Sequence, residues 1–332
     1  MDALDSTSDR PGITHPILAL PNEILSEIFI QTLPHYPVCP PILGFDSPTN
    51  LMQVCRSWME VAATTPALWR AIALCTDPGL SPYSKLQLAT ARTWMLRSGA
   101  LRLCLVFSTV MAGDDGDDIR VVRDALDLFA SERHRWEYLA LSIPVSFWIP
   151  RHFMERDLPL LRELEIIFLD LPDKPYADVG RLNAPNLRTV FLDCDFQVHS
   201  GLLCPRLINW SQLSSIYLLN VDLQTAVAVL SAAANLWACR LAFERRFGTV
   251  NGPLSPRLVL VLPLLETLIV SAEFSACEDL DNLLLALRAP RLRYLSLDED
   301  MLLHQAETWR LLPKSMGCRL EHLVINAHTE SL

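Results

Sequence analysis

The chain has 332 residues, 51% of them hydrophobic and 20% charged, with a formal net charge of −10; that balance describes a folded protein with a large core and excludes a disordered chain. An acidic chain without a Lys/Arg-rich run lacks the basic face that phosphate neutralisation requires, so nucleic acid is not an expected partner. Apolar runs such as Leu258-Val259-Leu260-Val261-Leu262, which stops at Pro263, fall far short of a bilayer span, and no membrane partner is expected either.

Residues 1–15 are acidic and polar and read as a disordered N-terminus, unlike the basic-then-apolar order of a secretory signal. The expected location is therefore the cytoplasm, the nucleus or both. The first helical signature follows at Leu20-Pro21-Asn22-Glu23-Ile24-Leu25-Ser26-Glu27-Ile28-Phe29. Pro stands at its start, and the pairs Ile24/Ile28 and Leu25/Phe29 recur at i+4. A second helix begins at Ser47-Pro48, an N-cap followed by Pro at the first helical position, and sets Leu51, Val54, Cys55 and Trp58 in one stripe. A third start signal, Thr65-Pro66, leads into Ala67-Leu68-Trp69. Three helices this short rarely bury all their large apolar side chains, so exposed Leu, Ile and Trp imply a docking surface.

In order, Leu20-Pro21-x-Glu23-Ile24-Leu25, Val54-Cys55-Arg56-x-Trp58 and Pro66-x-Leu68-Trp69 resemble the three blocks of an F-box. The resemblance implies an N-terminal three-helix module over residues 16–75 that binds a Skp-type adaptor, and through it a cullin, within a ubiquitin ligase. It assigns adaptor binding to Leu20, Pro21, Ile24, Leu25, Ile28, Val54, Trp58, Leu68 and Trp69. One departure is a Pro-rich insert over 33–48, between the first and second blocks, longer than a compact F-box has.

Residues 76–99 form the connection, in which Ser84 to Gly99 reads as a helix ended by glycine. With no flexible linker there, the connection is expected to be rigid. Beyond it, over 100–332, an apolar-x-x-apolar-x-apolar motif recurs. Its copies are Ala100/Leu103/Leu105, Trp136/Leu139/Leu141, Leu161/Leu164/Ile166, Leu187/Val190/Leu192, Leu213/Ile216/Leu218, Leu236/Cys239/Leu241, Leu265/Leu268/Val270, Leu292/Leu295/Leu297 and Leu320/Leu323/Ile325. From Trp136 onward the starts step by 23 to 29 residues, within the leucine-rich-repeat period. The resemblance to leucine-rich repeats implies an irregular α/β solenoid of short parallel strands alternating with helices or loops. Helical spacing in the connectors appears at Ile119, Val122, Leu126 and Phe129, at Val227 and Leu230, and at Leu280, Leu283, Leu284 and Leu287. The Asn or Cys usual after the strand is replaced, for example by Asp195, Glu244 and Asp300.

Catalytic signatures are missing. Eleven glycines build no phosphate-cradling loop, and no metalloprotease or nucleophile-elbow motif occurs. Nine scattered cysteines without a Cys-x-x-Cys pair read as reduced core residues. Cys194, His199 and Cys204 lack a fourth zinc ligand nearby, and the acidic turn Asp114-Asp115-Gly116-Asp117-Asp118 reads as a solvated loop before a helix rather than a calcium site. No enzyme activity, cofactor or metal is expected.

Motif phase puts Tyr138, Glu163, Glu165, Phe191, Asp193, Tyr217, Arg240, Tyr294, Asp298 and His322 on the outward face of the strands. Aromatic and charged side chains together mark them as candidates for binding a protein substrate. The function expected is substrate recognition for a Skp, cullin and F-box ligase. The alternative is a leucine-rich-repeat scaffold whose N-terminal helices only cap the open end of the solenoid.

Overall fold

In the computed structural model, residues 16–76, 81–109, 116–144, 147, 157–169, 182–193, 208–243, 258–272, 278–298 and 312–326 are described. Pro21 precedes the first helix, α1 (Asn22–Gln31), which buries Leu25 and Phe29 and leaves Ile24 and Ile28 exposed, the two faces that i, i+4 spacing separates. The Ser47 hydroxyl accepts from the Thr49 N–H and caps the turn into α2 (Leu51–Val54), and α3 (Arg56–Ala63) follows. The ring of Trp58 lies 4.9 Å from that of Phe29, which fastens α3 to α1. The third helical block is only one 3-10 turn, Pro66–Trp69, after which the chain enters strand β1 (Ala71–Thr76). That strand lies inside the segment read as purely helical.

Helix α4 (Ser81–Arg97) leads to β2 (Leu103–Thr109), with Gly99 at φ +58 supplying the left-handed turn between them. The strands that follow are β3 (Trp136–Ile143), β4 (Glu163–Phe168), β5 (Thr189–Asp193), β6 (Ser215–Leu219) and β7 (Ala238–Phe243). After the two-residue β8 (Leu260–Val261) come β9 (Thr267–Ala272), the two-residue β10 (Leu287–Arg288), β11 (Tyr294–Asp298) and β12 (His322–Asn326). Ten of them form one all-parallel sheet in chain order, β1-β2-β3-β4-β5-β6-β7-β9-β11-β12, while β8 and β10 pair separately. Helices α5 (Gly116–Ser131), α6 (Leu223–Ala232) and α7 (Glu278–Ala286) lie in the connectors. A parallel sheet built strictly in sequence order is a solenoid-like arrangement in which each unit contacts its neighbours.

The apolar motifs explain the register. Leu139, Leu164, Val190, Ile216, Cys239, Leu268, Leu295 and Leu323 pair successively across the sheet, and Leu141, Ile166, Leu192, Leu218, Leu241, Val270, Leu297 and Ile325 form the next row. All are buried except Leu323 and Ile325 on the last strand. At the start of the sheet the expected phase needs a correction. Leu105 and Phe107, not Leu103 and Leu105, pair with Leu139 and Leu141, because the register shifts between Leu103 and Cys104. Ile72 and Leu74 of β1 extend the same rows, adding a unit that the nine motifs did not include. Leu287, expected in a helix, belongs to β10 and pairs with Leu260.

Four repeats enter their strands through the same proline-bearing turn. The Leu161 N–H donates to the Leu158 carbonyl, Leu187 to Ala184, Leu265 to Leu262 and Leu292 to Ala289, with Pro159, Pro185, Pro263 and Pro290 at the second turn position, where a fixed φ near −65° fits. Side-chain amides tie successive turns together, those ending at Leu213 and Leu236 included. Asn186 donates to the Pro159 carbonyl at 2.6 Å, Gln212 to Ala184 at 2.7 Å and Asn235 to Ser211 at 2.6 Å. This amide ladder precedes the strands, whereas Asp195, Glu244 and Asp300 after them lie outside the described residues.

Burial grades the thiols. Cys75 is exposed, while Cys104 and Cys239 are buried, and burial pushes the Cys239 thiol up to about 12. Because the thiolate is the nucleophile, iodoacetamide at pH 8 is expected to modify Cys75 well before Cys104 and Cys239. Peptide mass spectrometry over a labelling time course reads the order, and early labelling of Cys239 would contradict its inward position in the sheet.

Candidate functional site

On the N-terminal helices, Pro21, Ile24 (50% exposed), Ile28 and Val54 (60% exposed) stand in solvent, and Leu20 and Trp58 are half-buried. Three of the residues expected there are not on the surface. Leu25 is 1% exposed and Trp69 0%, and Leu68 is equally buried. The reason is geometric: the Trp69 indole N–H donates to the Ala62 carbonyl at 2.9 Å, its ring meets Trp94 of α4 edge-on at 5.4 Å, and the Arg97 guanidinium lies 5.0 Å above it. Leu25, Leu68 and Trp69 belong to the core that the N-terminal helices share with the sheet. Met59 on α3 and Phe45 in the insert are exposed and escaped the sequence reading. Phe45 lies between Gly44 and Asp46, where no periodicity marks it.

The insert packs against the start of the sheet. The Tyr36 ring stacks under Arg70 at 3.9 Å, and its hydroxyl donates to Glu137 at 3.0 Å. The Cys104 thiol of β2 donates to the Pro37 carbonyl at 2.9 Å, with the Cys39 sulfur 3.6 Å away. The contact with Cys39 and burial hold the Cys104 thiol protonated, well above its ordinary range. Glu137 joins the two parts, taking Arg102 at 2.8 Å and Arg162 at 3.6 Å as well as Tyr36. Burial alone would raise its carboxyl, but hydrogen bonds from Arg102 and Tyr36 overcome that and keep it below the ordinary value.

A carboxyl with a depressed folded pKa stabilises fully above its unfolded value, and the contribution is lost as pH falls through the folded one. Glu137→Gln is therefore expected to lower stability at pH 7 and to flatten the loss between neutral and acid pH. Urea midpoints of wild type and variant across that range check this. Parallel curves would mean that the carboxylate does not anchor the insert.

On the outward face, cross-strand registry brings six of the ten expected residues together. Glu165, Phe191, Tyr217 and Arg240 stand directly opposite one another on β4, β5, β6 and β7. The Tyr138 hydroxyl donates to Glu165 at 3.0 Å, Phe191 and Tyr217 meet edge-on at 4.4 Å, and Arg240 covers the Tyr217 ring at 4.5 Å. Burial and the Glu165 carboxylate raise the Tyr138 phenol, so it stays a donor. Glu163 is exposed beside them, paired in register with Tyr138. Asp193, on β5, accepts from the Asn220 amide at 2.8 Å. Tyr294 and His322 form a separate pair, rings 6.4 Å apart, on β11 and β12. Asp298 is buried and accepts from the Ala272 N–H at 3.0 Å, so it serves the backbone rather than an open face.

Among the described residues no group of His, Cys, Asp and Glu could hold a metal ion, and no helix is long and apolar enough to cross a membrane. Cys194, His199, Cys204, Asp114 and Asp115 lie outside the described residues; α5 begins at Gly116, within the acidic turn. Compared with known families, residues 17–75 match the F-box-like model, and domains of this kind bind Skp-type adaptors. No curated protein matches the chain.

Proposed function

We propose that this chain is the substrate-recognition subunit of a Skp, cullin and F-box ubiquitin ligase, working in the cytoplasm, the nucleus or both. The observation that carries the reading is the coincidence of the F-box-like match over 17–75 with uncovered Ile24, Ile28 and Val54 on the same helices. Aliphatic side chains left in water on a module this small favour an apolar partner surface. The adaptor binds there, the cullin is reached through it, and the leucine-rich-repeat-like strands present the substrate. The chain contributes no catalytic residue of its own. Helix α4, whose Trp94 packs on Trp69, supports a fixed angle between the two surfaces.

The test is co-expression with a Skp-type adaptor and size-exclusion chromatography, comparing the chain with a Pro21→Ala/Ile24→Asp double variant of matched circular dichroism. A stoichiometric complex lost in the variant supports the reading; no complex from either folded protein refutes it. A second reading, a scaffold with capping helices, is favoured by one feature. Leu25, Phe29, Leu68 and Trp69 share a continuous core with the strands, as helices that close the open end of the sheet would.

A further inference from the structure

The band formed by Glu163, Glu165, Phe191, Tyr217 and Arg240 has an order of charge. Two carboxylates stand at the β4 end, an edge-to-face aromatic pair in the middle and a guanidinium at the β7 end. The ends are available. Glu163 and Arg240 are exposed, and no carboxylate pairs with Arg240 among the described residues. Glu165 has one oxygen on Tyr138, and a carboxylate accepts further bonds. The near edge of the band is set by the insert, because Cys104, in register with Tyr138 on the neighbouring strand, is already covered by Pro37 and Cys39.

Three strand intervals separate Glu165 from Arg240, about 14 Å at the usual spacing of about 4.8 Å. An extended peptide advances about 3.3 Å per residue and points alternate side chains to one side, so residues 1, 3 and 5 cover about 13 Å. The first then meets the carboxylates, the third the Phe191–Tyr217 wall and the fifth Arg240. Opposite charges at each end fix register and direction more than they add affinity, and the aromatic pair supplies the buried apolar contact.

We infer that this face captures an extended peptide segment of the pattern basic-x-apolar-x-acidic, laid across strands β4 to β7 with its basic residue at Glu163 and Glu165 and its acidic residue at Arg240. The inference rests on the proposed role of the strands in substrate capture and adds the chemistry of the segment captured. The chain can run in either direction, so acidic-x-apolar-x-basic segments satisfy the same face.

The experiment pans a random dodecapeptide display library on the full chain, on Arg240→Glu and on Tyr217→Ser, then measures synthetic consensus peptides by fluorescence anisotropy. The expected result is enrichment of the charge order on the unaltered chain, at least tenfold weaker binding of its consensus to Arg240→Glu, and a switch of the acidic position to Lys or Arg in peptides selected on that variant. Loss of enrichment on Tyr217→Ser is also expected. Peptides lost on Tyr217→Ser but lacking a charge order, or insensitive to Arg240→Glu, would overturn this chemistry while leaving the face as the capture surface. No enrichment, or enrichment indifferent to both substitutions, would overturn the capture reading itself.

Discussion

Trp69→Ala is expected to destabilise the protein by about 3–5 kcal/mol, the usual cost of removing a fully buried large aromatic side chain. For a chain of this size that is a fall in Tm on the order of 10 °C. Trp69 sits where the last turn of the F-box-like helices hands the chain to β1. It also bonds Ala62 of α3, meets Trp94 of α4 edge-on and lies under Arg97. Ala at this position empties a space bounded by α3 and α4, directly beside the entry into β1. The loss should therefore be felt in the strands. Hydrogen exchange is expected to quicken in β1 to β3 as well as in α1 and α3, with helical and sheet signals melting together. If the helices melted alone while β2 and β3 kept wild-type protection, the N-terminal module would be an independent unit rather than the first layer of the solenoid.

That coupling changes how the two functional readings relate. A free-standing docking module could be deleted without cost to the strands; a cap could not. Here the residues that make the F-box pattern divide by burial into two sets. Leu25, Phe29, Leu68 and Trp69 complete the core, while Ile24, Ile28 and Val54 remain outside. The helices can close the sheet and still bind an adaptor.

The sequence revealed the periodic parts of this architecture and missed those without a period. Leucines three and two residues apart announce a strand entered by a turn, and from β3 onward the pairing follows that spacing residue for residue. The first copy slipped by two because Leu103, Leu105 and Phe107 all satisfy an alternating pattern, and only the register shift beside Cys104 decides among them. β1 was hidden because Ala71-Ile72-Ala73-Leu74 follows directly on a helical motif with no Gly between. The amide ladder of Asn186, Gln212 and Asn235 was invisible because its acceptors lie one repeat back, 24 to 28 residues away. For the candidate docking site, the family pattern marked the segment that the F-box-like model matches but could not separate its two faces. Spacing of i+4 groups Ile24 with Ile28 and Leu25 with Phe29, and it does not say which pair faces the core.

The second large effect turns on that distinction. Ile24→Asp combined with Val54→Asp is expected to weaken the complex with a Skp-type adaptor by at least about 100-fold, since burying a carboxylate in place of an apolar anchor costs several kcal/mol at an interface centre. The same change should shift Tm by no more than a few degrees, because both side chains are half or more in water in the free protein and exposed substitutions usually move stability little. Leu25→Asp, one residue away, is expected to behave in the opposite sense. Its side chain is 1% exposed among the core residues, so the carboxylate unfolds the module, and any loss of binding comes with loss of structure. Isothermal titration against the adaptor, paired with thermal melts of each variant, separates the cases. Binding lost at unchanged Tm in Ile24→Asp/Val54→Asp places the adaptor on the outward face of α1 and α2. If the double variant bound as tightly as the unaltered chain, Ile24 and Val54 would not be the anchors, and the exposed Phe45 and Met59 would become the apolar surface to which the adaptor must be traced.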